Sequence, residues 1–223
     1  METVPTVDVA LNPPPGERPV PDSRLLRGAN ARAMVAIGVH GLYVAWLVAL
    51  FAGEFIGYAL PDDLVIQAAD IGLSLGMLVA FLFWKWSAYR LAMQFSADPL
   101  ESTPGWAVAV YFIPIANLWM PYTRVQEVRE VLEDSGGALE YGRSAAPSHG
   151  FVLAWWLLWI FAPITVNLLG LGDPSGVSYA WVIGVGMTLA SNLFSMALVL
   201  RMNEAAQQLA ASRGAEVPAP LFG

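Results

Sequence analysis

The chain has 223 residues, 57 % hydrophobic and 13 % charged, with a formal net charge of −7 and no cysteine. The apolar excess points to a membrane protein rather than a soluble domain, and the absence of cysteine excludes disulfides, thiolate metal sites and a cysteine nucleophile. Its eleven basic residues are scattered near helix ends, which argues against nucleic acid, whose phosphates need a basic stripe.

Residues 1–31 contain PPPGERPVP and show no apolar periodicity, which predicts a disordered cytosolic tail. The first apolar run starts after Arg32 and is about twice as long as a signal-peptide core, so the tail is expected to stay in the mature protein. A membrane domain is expected over 32–210, followed by a flexible tail at 211–223. Its first span, about 33–59, carries Gly41, Ala45, Ala49, Gly53 and Gly57 on one four-residue ridge, a face for close helix packing.

After the acidic turn Pro61-Asp62-Asp63, the second span runs over about 64–95 and contains a Gly72–Gly76 pair. It ends in Trp84-Lys85-Trp86 and Tyr89-Arg90, which read as rings and snorkelling cations at headgroup level.

The stretch Thr103 to Asp134 organises the rest. Its apolar part, 104–120, is broken by Pro114, and Trp106 to Met120 would rise only about 23 Å as a straight helix, short of the roughly 30 Å hydrocarbon core. If this stretch does not cross, there are four spans, and all eleven basic residues lie on one side: Arg18, Arg24, Arg27, Arg32, Lys85, Arg90, Arg124, Arg129, Arg143, Arg201 and Arg213. If it crosses, the first six and the last five fall on opposite sides. The positive-inside rule favours the first arrangement, with a re-entrant or interfacial segment and both termini cytosolic. Irregular backbone at that depth needs partners, and Asn117 is expected to cap or bridge it. From Pro121, residues 121–134 form an amphipathic helix with Val125, Val128 and Leu132 on one face and Arg129 placed to pair with Glu133.

The third span, about 150–171, holds Trp155, Trp156 and Trp159, with a kink expected at Pro163 and Asn167 placed to partner the deeper Trp159. Trp155 and Trp156 fit an interface belt. After a turn at Gly172 to Gly176, the fourth span covers about 179–200 and continues as a polar helix to about Leu209. It carries a ridge of Gly184, Thr188, Ser191 and Ser195, with Asn192 beside it.

FWKWSAYRL at Phe83 to Leu91, then TPGWAVAVYFIPIANLWMPY and a tryptophan-rich span, resembles the bacterial membrane family catalogued as domain of unknown function 4328. The similarity covers roughly Leu75 to Leu209, and Pro104, Gly105, Trp106, Pro114, Asn117 and Pro121 carry it. Ser87 and Leu91 stand where the family tends to have arginine and asparagine, and Ala109 and Val110 also depart from its pattern. The resemblance implies this topology but no activity, substrate or cofactor.

The fold expected is therefore all-α, an integral membrane four-helix bundle with a proline-broken segment between spans two and three. The intramembrane ionisable candidates are His40, Glu54 and Asp70; Trp106, Pro114, Asn117 and Pro121 form the candidate functional or structural motif. His40 and His149 lack a carboxylate at ligand spacing, so no metal, cofactor or catalytic group is expected. Glu54 and Asp70, near the outer ends of spans one and two, would suit a cation path or reach the outer headgroups. The expected role is a non-enzymatic accessory, scaffold or signalling component of a bacterial cytoplasmic membrane. The alternative is a small transporter or channel with a cavity near Pro114 to Asn117. Partners are the lipid bilayer and either a second copy of the chain or another membrane protein.

Overall fold

A computed structural model describes residues 20–56, 63–96, 98–135, 146–170 and 179–217. Outside the described residues lie positions 1–19 and 218–223 of the expected tails, the turn residues Pro61 and Asp62, the glycine stop at Gly136 and the turn from Gly172 to Gly176. The side chains of Glu54 and Asn167 also lie outside, so the roles expected of them have no structural counterpart here.

Helices in chain order are α1 (Ser23–Ile56), α2 (Asp63–Phe95), the short α3 (Pro104–Ala109), α4 (Met120–Ser135), α5 (His149–Gly170) and α6 (Tyr179–Ser212). Two 3-10 turns, Val110–Phe112 and Ala116–Leu118, join α3 to α4. The fold is all-α, and three stretches, Ser23–Gly53, Asp63–Phe95 and Val182–Ser212, are long and apolar enough to cross a membrane. The stretch His149–Thr165 of α5 is a shorter apolar helix, and α5 continues through Pro163.

α1 starts earlier than the hydropathy pattern suggests and takes in residues 23–31 of the expected tail. Asp22 starts it: its Oδ1 accepts from Arg24 N at 2.8 Å and its carbonyl from Leu26 N at 3.1 Å. Leu26, Ala29, Ala33 and Ala36 then form a buried stripe at helical spacing. A short polar stretch can therefore be helical when one of its faces is covered.

α1 packs between α2 and α6, α5 packs on α6, and α4 lies across α2, α5 and α6. The core is concentrated at one end of this assembly, where α1 begins, α2 ends and α6 ends. Leu26, Trp84, Leu91, Phe95, Trp155, Leu198, Met202 and Leu209 are buried there with Val125, Val128 and Leu132 of α4. α6 passes near Gly41, where a Cβ would meet the Met196 methyl at 3.7 Å, an ordinary packing distance that an alanine would also fit.

The break follows from Pro114. The residue before a proline is pushed out of the helical region, and Ile113 is extended, at φ −101° and ψ 110°. The freed backbone finds local partners: Asn117 N donates to Ile113 O at 2.8 Å, Leu118 N to Ile115 O at 3.1 Å and Trp119 N to Ala116 O at 3.3 Å. Main-chain turns thus do the work expected of the Asn117 side chain.

Candidate functional site

The broken segment, α4 and the end of α2 meet around Lys85. This side chain was expected to snorkel to the headgroups, but it is 2 % exposed, because the segment from α3 to α4 folds over the end of α2. Its Nζ donates to the Tyr111 hydroxyl at 2.9 Å and to the Pro121 carbonyl at 3.2 Å, and lies 4.4 Å from the centre of the Tyr111 ring. Tyr111 in turn meets Trp159 edge-on at 5.5 Å, so α5 backs the contact. Trp159 thus has an aromatic neighbour from the broken segment.

One turn further along α2, Tyr89 Oη donates to Glu127 Oε2 at 2.6 Å. Glu127 also accepts from Arg124 Nη1 at 2.8 Å and from the backbone N of Glu101 at 2.6 Å. Burial by itself would lower the Arg124 pKa, but its hydrogen bonds to Tyr89 and Glu127 and the Glu127 charge hold it above its ordinary value. Arg129 donates through Nε to Gln126 Oε1 at 2.6 Å and pairs with Glu133, the pairing expected from their spacing. An open cleft of about 700 Å³ runs beside this network, lined among others by Asp98, Glu101, Tyr122, Glu127 and His149. His149 lies on its wall, with Nε2 3.0 Å from the Tyr122 hydroxyl.

The motif residues divide between the two faces of the broken segment. Pro121 is fully buried and gives its carbonyl to Lys85. Trp106 is exposed; its backbone N donates to Thr103 Oγ1 at 3.2 Å, a cap that starts α3 with Pro104 in its first turn. Pro114 is exposed at the turn, while Asn117 is half-buried with an Oδ1 that has no hydrogen-bond partner. Phe112, Ile113, Ile115, Leu118 and Trp119 join Trp106 in presenting apolar side chains outward.

The ionisable candidates lie apart from Lys85. His40, buried on α1, has Nδ1 2.8 Å from the Ala36 carbonyl and lines a cavity of about 50 Å³ with Phe81, Trp155, Ser191, Asn192 and Ser195. Trp155 is wholly buried rather than in an interface belt, because its Nε1–H donates to Ser195 Oγ at 2.9 Å. Asp70 interacts with the Tyr43 hydroxyl across α1 and α2.

The family model described as Domain of unknown function (DUF4328) matches residues 63–219, from the first residue of α2 to beyond the end of α6. The chain belongs to the DUF4328 family. The matched region holds the whole Lys85 cluster, the broken segment and α4, whereas α1 with His40 lies before it. Comparison of this DUF4328 chain with curated proteins and with solved structures gives no match.

Sequence reasoning missed Lys85, Tyr111 and Glu127. A signal existed: Lys85 is the one lysine among eleven basic residues. A compact ammonium with three rotatable donors suits a closed site that a planar guanidinium would overfill.

Proposed function

We propose that this DUF4328 protein is a non-enzymatic scaffold or accessory component of a bacterial cytoplasmic membrane. In this reading α1, α2, α5 and α6 cross the bilayer with both termini in the cytosol. The broken segment dips into or lies on the cytosolic leaflet, and the exposed face of α4 serves as the platform for another membrane protein or a second copy. The observation that carries the reading is the two-faced broken segment. Its outer face is apolar, while Tyr111 and Pro121 on its inner face are tied to Lys85. A segment held this way suits a fixed surface better than a moving gate.

The alternative, a transporter or channel, draws support from the unpartnered Asn117 Oδ1 beside the prolyl break. Against it, two cavities inside the described bundle, one of them walled in part by α4, measure only about 10 and 50 Å³ and are lined by residues other than Asn117. A photo-reactive residue at Glu130, on the exposed face of α4, separates the readings in native membranes. The scaffold reading expects one discrete adduct. No adduct, together with solute flux in proteoliposomes, would overturn it.

A further inference from the structure

A groove of about 320 Å³ runs along the seam between α1 and α2, lined by Val35, Val39, Gly76, Val79 and Phe83, with Arg32 at one end. Val35, Val79 and Phe83 are exposed on its walls. From Arg32 to Val39 it follows about two helical turns, roughly 10 Å along the bundle axis. At the Arg32 end the surface becomes cationic. The guanidinium carbons of Arg32 and Arg90 lie 5.4 and 4.8 Å from the centre of the Trp86 ring. Arg32 Nη1 donates to Ser87 Oγ at 2.8 Å, which holds the side chain across the seam.

Among the described residues neither Arg32 nor Arg90 forms a salt bridge with a carboxylate. A guanidinium has five N–H donors, and Ser87 takes up only one nitrogen of Arg32. Two guanidiniums on one indole repel each other, so an anion set between them would relieve that repulsion as well as gain hydrogen bonds. The groove leads from the charged end along apolar walls, as a phospholipid leads from phosphate to acyl chain.

We propose that the α1–α2 seam is a binding site for an anionic phospholipid, with the phosphate on Arg32 and Arg90 against Trp86 and one acyl chain in the groove over Gly76. The proposal rests on the reading that α1 and α2 cross the membrane. It would make lipid charge a condition for how firmly the two helices stay together.

Native mass spectrometry of the full chain in detergent, with phosphatidylglycerol or phosphatidylcholine of the same acyl chains, tests the site. Wild type should retain phosphatidylglycerol about thirtyfold better, and the double variant Arg32→Gln, Arg90→Gln should lose that preference. Gly76→Leu, which puts a side chain into the groove and leaves both arginines in place, should weaken retention of both lipids. Equal retention by wild type, an unchanged preference in the double variant, or release of the lipid by excess inorganic phosphate would each overturn the proposal. Alkaline extraction of membranes keeps the two readings apart. A chain that leaves the membrane sinks the membrane reading and this proposal with it; a chain that stays but shows no lipid preference sinks this proposal alone.

Discussion

The Lys85 amino group sits 2.9 Å from the Tyr111 hydroxyl and 4.4 Å from the centre of the same ring, so one side chain of the broken segment both accepts its hydrogen bond and packs its ring against it. Lys85→Met keeps the length of the side chain but leaves the Pro121 carbonyl and the Tyr111 hydroxyl buried without their donor. It should cost about 2–3 kcal/mol in thermal unfolding in detergent. Tyr111→Phe keeps the ring and removes the acceptor, at a cost of about 1.5–3 kcal/mol. Combined, the two substitutions should cost at least about 0.5 kcal/mol less than their sum. Strict additivity would mean that the contact does not hold the segment.

Glu127 and Glu101 both pair with Arg124, yet their variants should differ sharply. The Glu101 side chain is 80 % exposed and that of Glu127 14 %. Glu127 holds three donors, from Tyr89, Arg124 and the Glu101 backbone, so Glu127→Ala leaves the buried Tyr89 hydroxyl without its acceptor and the Arg124 guanidinium with only the exposed Glu101 carboxylate. A loss of about 2–4 kcal/mol is expected, against less than about 0.5 kcal/mol for Glu101→Ala. The folded-state pKa of Arg124 is raised, so its contribution is fully present below the ordinary guanidinium value and fades only as pH rises through the higher folded value. Melting curves between pH 6 and about pH 9 should therefore show no loss traceable to Arg124. Equal effects of the two glutamate variants would contradict this account.

Much of the fold is visible in hydropathy because a long apolar helix advertises itself locally. The α4 face of Val125, Val128 and Leu132 was also readable, since helical spacing alone selects it. Lys85 was not. A cation beside tryptophans at the end of an apolar helix has the local pattern of an interface anchor, and only Tyr111 and Pro121, 26 and 36 residues further on, bury it. Trp155 was misread for the same reason, its partner Ser195 being 40 residues away. The early start of α1 escaped because Leu26 and Ala29 are a sparse signal until the rest of the core covers them. Asn117 is expected from the sequence to cap the break, but the turn's own main-chain hydrogen bonds do that, and they are invisible to side-chain chemistry.

The interior near His40 sets two substitutions of opposite expected sign one turn apart on α6. Ser195 Oγ accepts the Trp155 indole N–H, so Ser195→Ala strands a buried donor and should cost about 1–3 kcal/mol. Asn192 is buried with an Oδ1 that has no partner, and its Nδ2 only doubles back to the Thr188 carbonyl at 2.8 Å. Asn192→Leu removes that unsatisfied oxygen and fills the cavity, so it should be neutral or stabilising in the same melts. A destabilised Asn192→Leu would instead mean that the cavity holds a partner for the asparagine oxygen.

The outer face of the broken segment gives a prediction about depth. Because the chain has no cysteine, each introduced one is a unique labelling site. Phe112 and Ile115 are 69 % and 70 % exposed, an apolar exposure that suits lipid rather than water. Spin labels at Phe112→Cys and Ile115→Cys in liposomes should collide readily with oxygen and poorly with a water-soluble nickel chelate. A label at Glu130→Cys, on the charged face of α4, should show the reverse. On the re-entrant or interfacial reading proposed above, the two segment labels should also report depths nearer the surface than the bilayer centre. Nickel contact at Ile115 as strong as at Glu130 would place the segment in water. Its apolar face would then have to be covered by another protein rather than by lipid.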